Sequence, residues 1–511
     1  MTSSITKQQL TIAADAFYYS CASSIAIVIA FLAGIMTKSI VGPTDIGLWA
    51  LLNVLLTYMG LSEMGAISAA NKEIPYELAK CNSSNAERLK GTMLSFVTLT
   101  AVIGMVGVLF YAVFSVSSLS RKAFVGLILI ALSFPLFQLQ FAHTSIYWMN
   151  RQSGITGTMT MLEAISNAVF GITLTWSLGI YGLYITFITT LIMKVSFLSS
   201  RARRDPHLAL SVSWSNAALA RLVSSGLPLQ LSNIMNILRN SVPFLFLGHY
   251  LNNAYVGYYA LAINVQNLVL QTPYAIWIIM FPRFQEQYAV SNNDNATLMG
   301  LAMGPLRALS LLILPVLISG AYVFGPLVIR HITPQFTPTI SILKVLLAGT
   351  YFLSLETVVG QILITTNRLW LRVITGVVSV VMLLACLMVI RARSDAFLGI
   401  AIAVGFSNAV SFFIVFFVSW AVVAGNRDTA RWPLRVLGIC FYMMVVLVMG
   451  EHVIPSSESS LLVDAFWSGV KYCVSLIGLS PLLIIAARRL SLLKTLRSLL
   501  ASRGLGVKYE A

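Results

Sequence analysis

A chain of 511 residues that is 58% hydrophobic and only 10% charged, with a mean hydropathy of +0.85, lies far from a soluble domain, in which about a quarter of residues are charged. At about 20 residues per crossing it holds on the order of a dozen or more membrane helices, which leaves no length for a sizeable soluble domain. The formal charge of +16 reads as membrane topology rather than nucleic-acid binding, and five cysteines without C-x-x-C or histidine partner spacing support neither a metal site nor a disulfide framework.

The N-terminus has one basic residue before an apolar segment that runs to about Met36, too long for a signal h-region, so it is expected to remain as the first span. Apolar windows predict fourteen spans, at 14–36, 46–70, 91–116, 123–147, 154–175, 178–199, 222–248, 256–280, 305–329, 339–364, 371–390, 396–424, 433–453 and 466–487. With the N-terminus inside, inner segments carry 23 basic residues and outer segments 6, which places both termini in the cytoplasm. An acidic outer loop with Glu451, Glu458 and Asp464 precedes the last span, and a basic tail, RRLSLLKTLRS, follows it, hugging the leaflet or meeting a partner.

Two halves of the chain echo each other. GLWAL at Gly47 opens the second span and GYYAL at Gly257 the eighth; Pro75 stands opposite Pro282 in the loops that follow; the fourth and tenth spans end in Asn150-Arg151 and Asn367-Arg368. Six spans per half put the repeats in one orientation, related by an axis along the membrane normal, with a substrate site expected between two bundles that rock for alternating access. The expected fold is therefore an all-α polytopic membrane protein of about 14 transmembrane helices. Two six-helix bundles, 1–216 and 217–424, are followed in 425–511 by two additional helices and the basic tail.

The seventh span carries Arg239 near its middle, where a guanidinium costs about 2.5–3.5 kcal/mol on insertion scales, and Pro243 four residues on, which predicts a kink. At roughly 100° per residue Asn233, Asn236 and Asn240 form one polar stripe with Arg239 at its edge. In the eighth span Asn264, Asn267 and Gln271 share a face. Gln140 and His143 in the fourth span, Asn53 in the second and Glu163 in the fifth complete a candidate hydrated cavity, although single amides also serve as interhelical glue worth roughly 0.6 kcal/mol. Glu63, Glu163 and Glu356 lie deep with Arg239, so at least one carboxylate is a candidate for proton or ion coupling and a salt bridge to Arg239 is the alternative. Lys194, Lys344 and Lys471 are expected to snorkel from span ends.

The stretches VGPTDIGLWALLNVLLTYMGLSEMGAISAANKEIP, LVSSGLPLQLSNI, LNNAYVGYYALAINVQNLVLQTPYAIWIIMFPRFQEQYA and PQFTPTISILKVLLAGTYFLSLETVVGQILITTNRLW resemble the Wzx-type polysaccharide-repeat-unit flippases, within the superfamily that also holds multidrug exporters and the lipid II flippase. The resemblance implies a two-lobed bundle in a bacterial inner membrane that moves an undecaprenyl-diphosphate-linked oligosaccharide between leaflets, for O-antigen or exopolysaccharide synthesis, beside a polymerase and chain-length machinery. Arg239 suits the diphosphate through its planar fork, the amides suit sugar hydroxyls, and Arg151 and Arg368 could recruit the anion from the cytoplasm or act as topology anchors. The strongly cationic cavity typical of such flippases is not matched by one deep Arg among three Glu. No phosphate loop for ATP is present, and neither a cofactor nor covalent chemistry is expected. A cation-coupled drug exporter or a lipid II flippase of the same superfamily and, further off, a membrane glycosyltransferase or polymerase are the rival readings.

Overall fold

The computed structural model describes residues 2–80, 82–150, 152–203, 212–290, 295–391, 395–423, 430–453 and 460–489. Regular structure there is helical: α1 (Thr2–Val41), α2 (Pro43–Gly60), α3 (Ala66–Ala79), α4 (Ser83–Phe114), α5 (Arg121–Met149), α6 (Ser153–Leu178), α7 (Ile180–Ala202), α8 (Asn216–Tyr250), α9 (Asn253–Val290), α10 (Asn295–Ala308), α11 (Leu314–Ile332), α12 (Thr339–Thr365), α13 (Leu369–Ile390), α14 (Ala396–Val422), α15 (Trp432–Val453), α16 (Leu461–Gly478) and α17 (Ser480–Arg489). Among the described residues 12 stretches are long and apolar enough to cross a membrane, each overlapping a predicted span. The two predicted spans left over are α8 and α9, whose amide side chains dilute their hydropathy. The chain is a multi-pass membrane protein.

Helix starts follow local chemistry. Asn82, Ser120, Ser215 and Ser460 each accept a backbone N–H from three residues on, at 3.3–3.4 Å, and Pro43 occupies the first turn of α2, where its missing N–H is harmless. The Asn-Arg pair after α12 is a helix stop. Asn367 adopts φ 55, the Asn367 N–H donates to the Ile364 carbonyl at 3.1 Å and the Arg368 N–H to Leu363 at 2.7 Å, the paired bonds of a Schellman ending. Asn150 sits one position earlier in its own cap, with the Gln152 N–H donating to Tyr147 at 3.0 Å, so the two Asn-Arg pairs are alike in sequence but one step apart in structure.

Two predicted spans are built in pieces. The second stops at Gly60, makes a 3-10 turn over Leu61–Glu63, passes through left-handed Met64 (φ 49) and Gly65 (φ 80), and restarts as α3. Irregular backbone at membrane depth must find partners inside the protein. The Gln138 amide donates to the Gly60 carbonyl and the Gln230 amide to Leu61, each at 3.5 Å, while the Glu63 carboxylate accepts the Ile67 N–H at 2.7 Å. The last predicted span, 466–487, is instead α16, which ends at Gly478, followed by the short α17. Within the ninth span a π-turn covers Leu309–Ile313, and the buried Tyr351 hydroxyl donates to the Ser310 carbonyl at 3.0 Å. α8 remains helical through Pro228 and Pro243.

By their contacts the residues fall into two compact units, Met1–Leu261 with Ile332–Phe336, and Ala262–His331 with Thr337–Ala511. In the first unit α1 lies along α6, α5 along α4 and α7, and α8 against α2, α3 and α4. In the second, α14 packs on α12 and α13, with Gly349 and Gly405 allowing backbone contact between α12 and α14.

Candidate functional site

Arg239 is buried, 9% exposed, while Asn233 and Asn240 on the same helix are exposed and Asn236 is half-buried. The predicted amide stripe is thus the uncovered side of α8, and the guanidinium turns from its edge into protein. In α9, Asn264, Asn267 and Gln271 are all exposed, whereas Gln266 between them is buried. A helix of bilayer length that shows three amides on one uncovered face needs water or a polar ligand there, because hydrocarbon offers no hydrogen-bond partner.

The polar residues of the early spans have a different setting. Gln140 and His143, 6% and 5% exposed, are packed away: the Gln140 amide donates to Thr144 Oγ1 at 3.1 Å, and His143 Nε2 meets Ser199 Oγ on α7 at 3.1 Å. Asn53 is half-buried, its amide donating to the Trp49 carbonyl one turn back at 2.8 Å. Arg368 is exposed, and Arg151 lies outside the described residues.

The three deep carboxylates have local partners. Glu163 pairs with Lys194 at 2.9 Å, and beside it Ser166 and Asn167 meet Thr190, so the fifth-span polar group forms a seam between α6 and α7. Lys194, 8% exposed, is a buried partner rather than the snorkelling residue expected. Glu356, 2% exposed, takes the Arg372 guanidinium at 3.1 Å, and Gly360 makes the path, since a Cβ there would lie 2.9 Å from the guanidinium carbon. Arg372 reads in sequence as a topology charge; Gly360, one turn from Glu356, is the only local hint of the pair. Glu63 caps α3, a setting in which the helix dipole favours a carboxylate.

What seats α8 is a line of close approaches along α2 and α3. A Cβ on Gly226 would lie 2.2 Å from the Gly65 carbonyl oxygen, and one on Gly65 2.5 Å from that of Gly226. Further along, the Tyr58 hydroxyl and Ser241 Oγ are 2.6 Å apart. Where α9 begins, a Cβ on Gly47 would fall 1.7 Å from the Asn253 carbonyl and one on Gly257 2.0 Å from that of Pro43, so the two glycines that the sequence repeat equates make room for each other's helices. At the opposite end of α8 Arg221 grips α3: Nε donates to Glu73 at 2.9 Å, and a terminal nitrogen reaches Glu77 at 2.7 Å.

Side-chain hydrogen bonds from Asn85 and Arg221 hold the Glu77 carboxyl below the usual carboxylate range. A depressed folded-state pKa contributes stability that is fully present above the unfolded value of about 4.3 and is lost as pH falls through the folded one. Acid titration of the purified protein should therefore show a stability loss below about pH 4 that is smaller in Glu77→Gln, with no difference in pH dependence between the two at neutral pH.

Residues 40–341 match the family described as polysaccharide biosynthesis protein. A search of curated sequences finds no match. Among solved structures the fold is similar to the inward-facing conformation of a multidrug resistance MATE family transporter of the MOP superfamily, at 14% identity and TM-score 0.67 over 80% of this chain and 98% of that one. It is also similar to the lipid II flippase MurJ in an inward closed conformation, at 12% identity and TM-score 0.67 over 92% and 99%. A MOP superfamily transporter from Pyrococcus furiosus aligns at 14% identity and TM-score 0.62 over 80% and 95%. At such identities the likeness is one of fold. The family match, in contrast, takes in the broken second span, both glycine contacts and the whole of α8 and α9, and on that extent the chain belongs to the polysaccharide biosynthesis protein family.

Proposed function

We propose that this protein is a flippase that carries undecaprenyl-diphosphate-linked oligosaccharide repeat units from the inner to the outer leaflet of a bacterial inner membrane by alternating access, for surface or exopolysaccharide synthesis. The carrying observation is the uncovered amide face on α8 and on α9, in helices long enough to span a bilayer. Amides match sugar hydroxyls as both donors and acceptors, and the Arg239 fork matches a diphosphate. Membership in a polysaccharide biosynthesis family supports a sugar-bearing cargo. Translocation makes and breaks no covalent bond, so no catalytic residue is assigned; both termini are cytoplasmic in this reading, and a polymerase with its chain-length machinery takes up the product. The pairing of Glu163 with Lys194 and Glu356 with Arg372 engages two of the three deep carboxylates that favoured cation-coupled drug export, which supports the flippase reading.

Arg239→Ala should strand lipid-linked repeat units in the inner leaflet, and Arg239→Lys should keep partial transport because it retains the charge but not the bidentate fork. Leaflet-specific labelling of the lipid-linked sugar, with surface polysaccharide measured beside it, reads both variants. Normal surface polysaccharide in the Ala variant at unchanged protein level would overturn the role of Arg239. Undiminished outer-leaflet delivery in cells that lack the protein would overturn the function itself.

A further inference from the structure

At one end of the second unit α11, α12, α15 and α16 enclose a polar crevice of about 40 Å³. α16 presents its polar residues to it: Asp464, Ser468, Lys471 and Ser475 recur at steps of four, three and four, a single helical face, and all line the crevice. The rest of α16 shows Leu462, Phe466 and Ile477 to the outside, as a lipid-facing surface should. Its two carboxylates are engaged. Glu451 takes the Lys344 ammonium and a hydrogen bond from the Tyr322 hydroxyl at 3.0 Å, and Asp464 meets His331 Nε2 at 3.0 Å.

Two cations remain. Arg330 and Lys471 both line the crevice, and among the described residues neither forms an ion pair. Lys471 stands ten residues into an 18-residue helix, roughly 15 Å along its axis and deeper than the span-end position expected for it, and an ionised side chain at membrane depth is a functional site by default. Three fixed cations, Arg330, Lys344 and Lys471, face two carboxylates. Ser468 and Ser475 add hydroxyl donors, and the volume takes roughly three water-sized groups.

We infer that this crevice binds one phosphate-class oxyanion between Arg330 and Lys471, separately from the amide faces of α8 and α9. The arginine supplies a planar fork, the lysine a point charge and the serines neutral donors, a set that suits tetrahedral oxygens. In the orientation expected from the basic residues the crevice opens at the outer face of the membrane. The oxyanion is therefore either the phosphate of an outer-leaflet lipid or a free ion.

The test uses the full chain in detergent after lipid removal, with the melting temperature followed against sodium phosphate and against sodium gluconate, whose bulk exceeds the crevice, at matched ionic strength. Wild type and Lys471→Arg should show a saturable rise of about 2–4 °C with phosphate that Lys471→Gln lacks. Native mass spectrometry of mildly extracted protein separates the sources. A phospholipid adduct held by wild type and lost in Lys471→Gln identifies a lipid phosphate, and a phosphate response without that adduct identifies the free ion. Equal responses in wild type and Lys471→Gln, or no phosphate response and no adduct, overturn the inference. Should Lys471→Gln fail to accumulate as folded protein, Arg330→Gln carries the same comparison.

Discussion

Gly226→Val is expected to leave almost no folded protein, as read by the monodisperse fraction of detergent extracts on size-exclusion chromatography. The Cβ it introduces would sit 2.2 Å from a backbone oxygen and 2.7 Å from the carbonyl carbon of Gly65. Neither atom can rotate away, because Gly65 is held at φ 80 between the 3-10 turn and α3. Ordinary overpacking costs about 1–3 kcal/mol and relies on side chains that yield. Here two backbones must part, and their separation would also break the Gln230 bond to Leu61, so the loss should exceed about 4–5 kcal/mol, a large share of the stability of most domains. Gly107→Ala is the control: no atom stands within 4 Å of a Cβ at that position, and the variant should behave as wild type.

Glu163→Leu should lower the melting temperature and Lys194→Leu added to it should restore it. The single change leaves the Lys194 ammonium, 8% exposed, without its carboxylate in the seam between α6 and α7. Breaking a fully buried pair costs about 3–5 kcal/mol. The Glu163 side chain is 38% exposed, so solvent screening reduces the expected loss to about 2–3 kcal/mol. If transport survives in the double variant, Glu163 is a packing residue and not the coupling group. Transport lost in the double variant with stability recovered would return it to the coupling role.

The span pattern was legible because it depends on composition averaged over some twenty residues, and helix in a membrane has few alternatives. Polar stripes on α8 and α9 were legible for the same reason, since 100° periodicity needs only the helix itself. What the chain order hides is which helix lies opposite. Nothing near Glu163 points to Lys194, 31 positions away, and nothing near Glu73 points to Arg221. The interruption at Leu61–Gly65 was hidden differently: GLSEMG sits inside an apolar window, and its two glycines read equally as packing positions or as hinges until Gly226 is seen against Gly65. Gln140 and His143 show the limit of helical arithmetic. It fixes which residues share a face but not whether that face meets water or α7.

The crevice at α16 also bears on biogenesis. A translocon that tests segments one at a time meets an 18-residue helix with Asp464 in its first turn and Lys471 near its middle, where a charge is unfavourable by about 2.5–3.5 kcal/mol, with two serines between and beyond them. The hydrogen-bond partner of Asp464 is on α11, and the ammonium that pairs with Glu451 at the end of α15 is on α12. Both are synthesised earlier. α16, the less apolar of the last two spans, thus inserts more readily beside helices already released into the bilayer than alone, so its insertion is a folding step, ordered in time by the chain that precedes it.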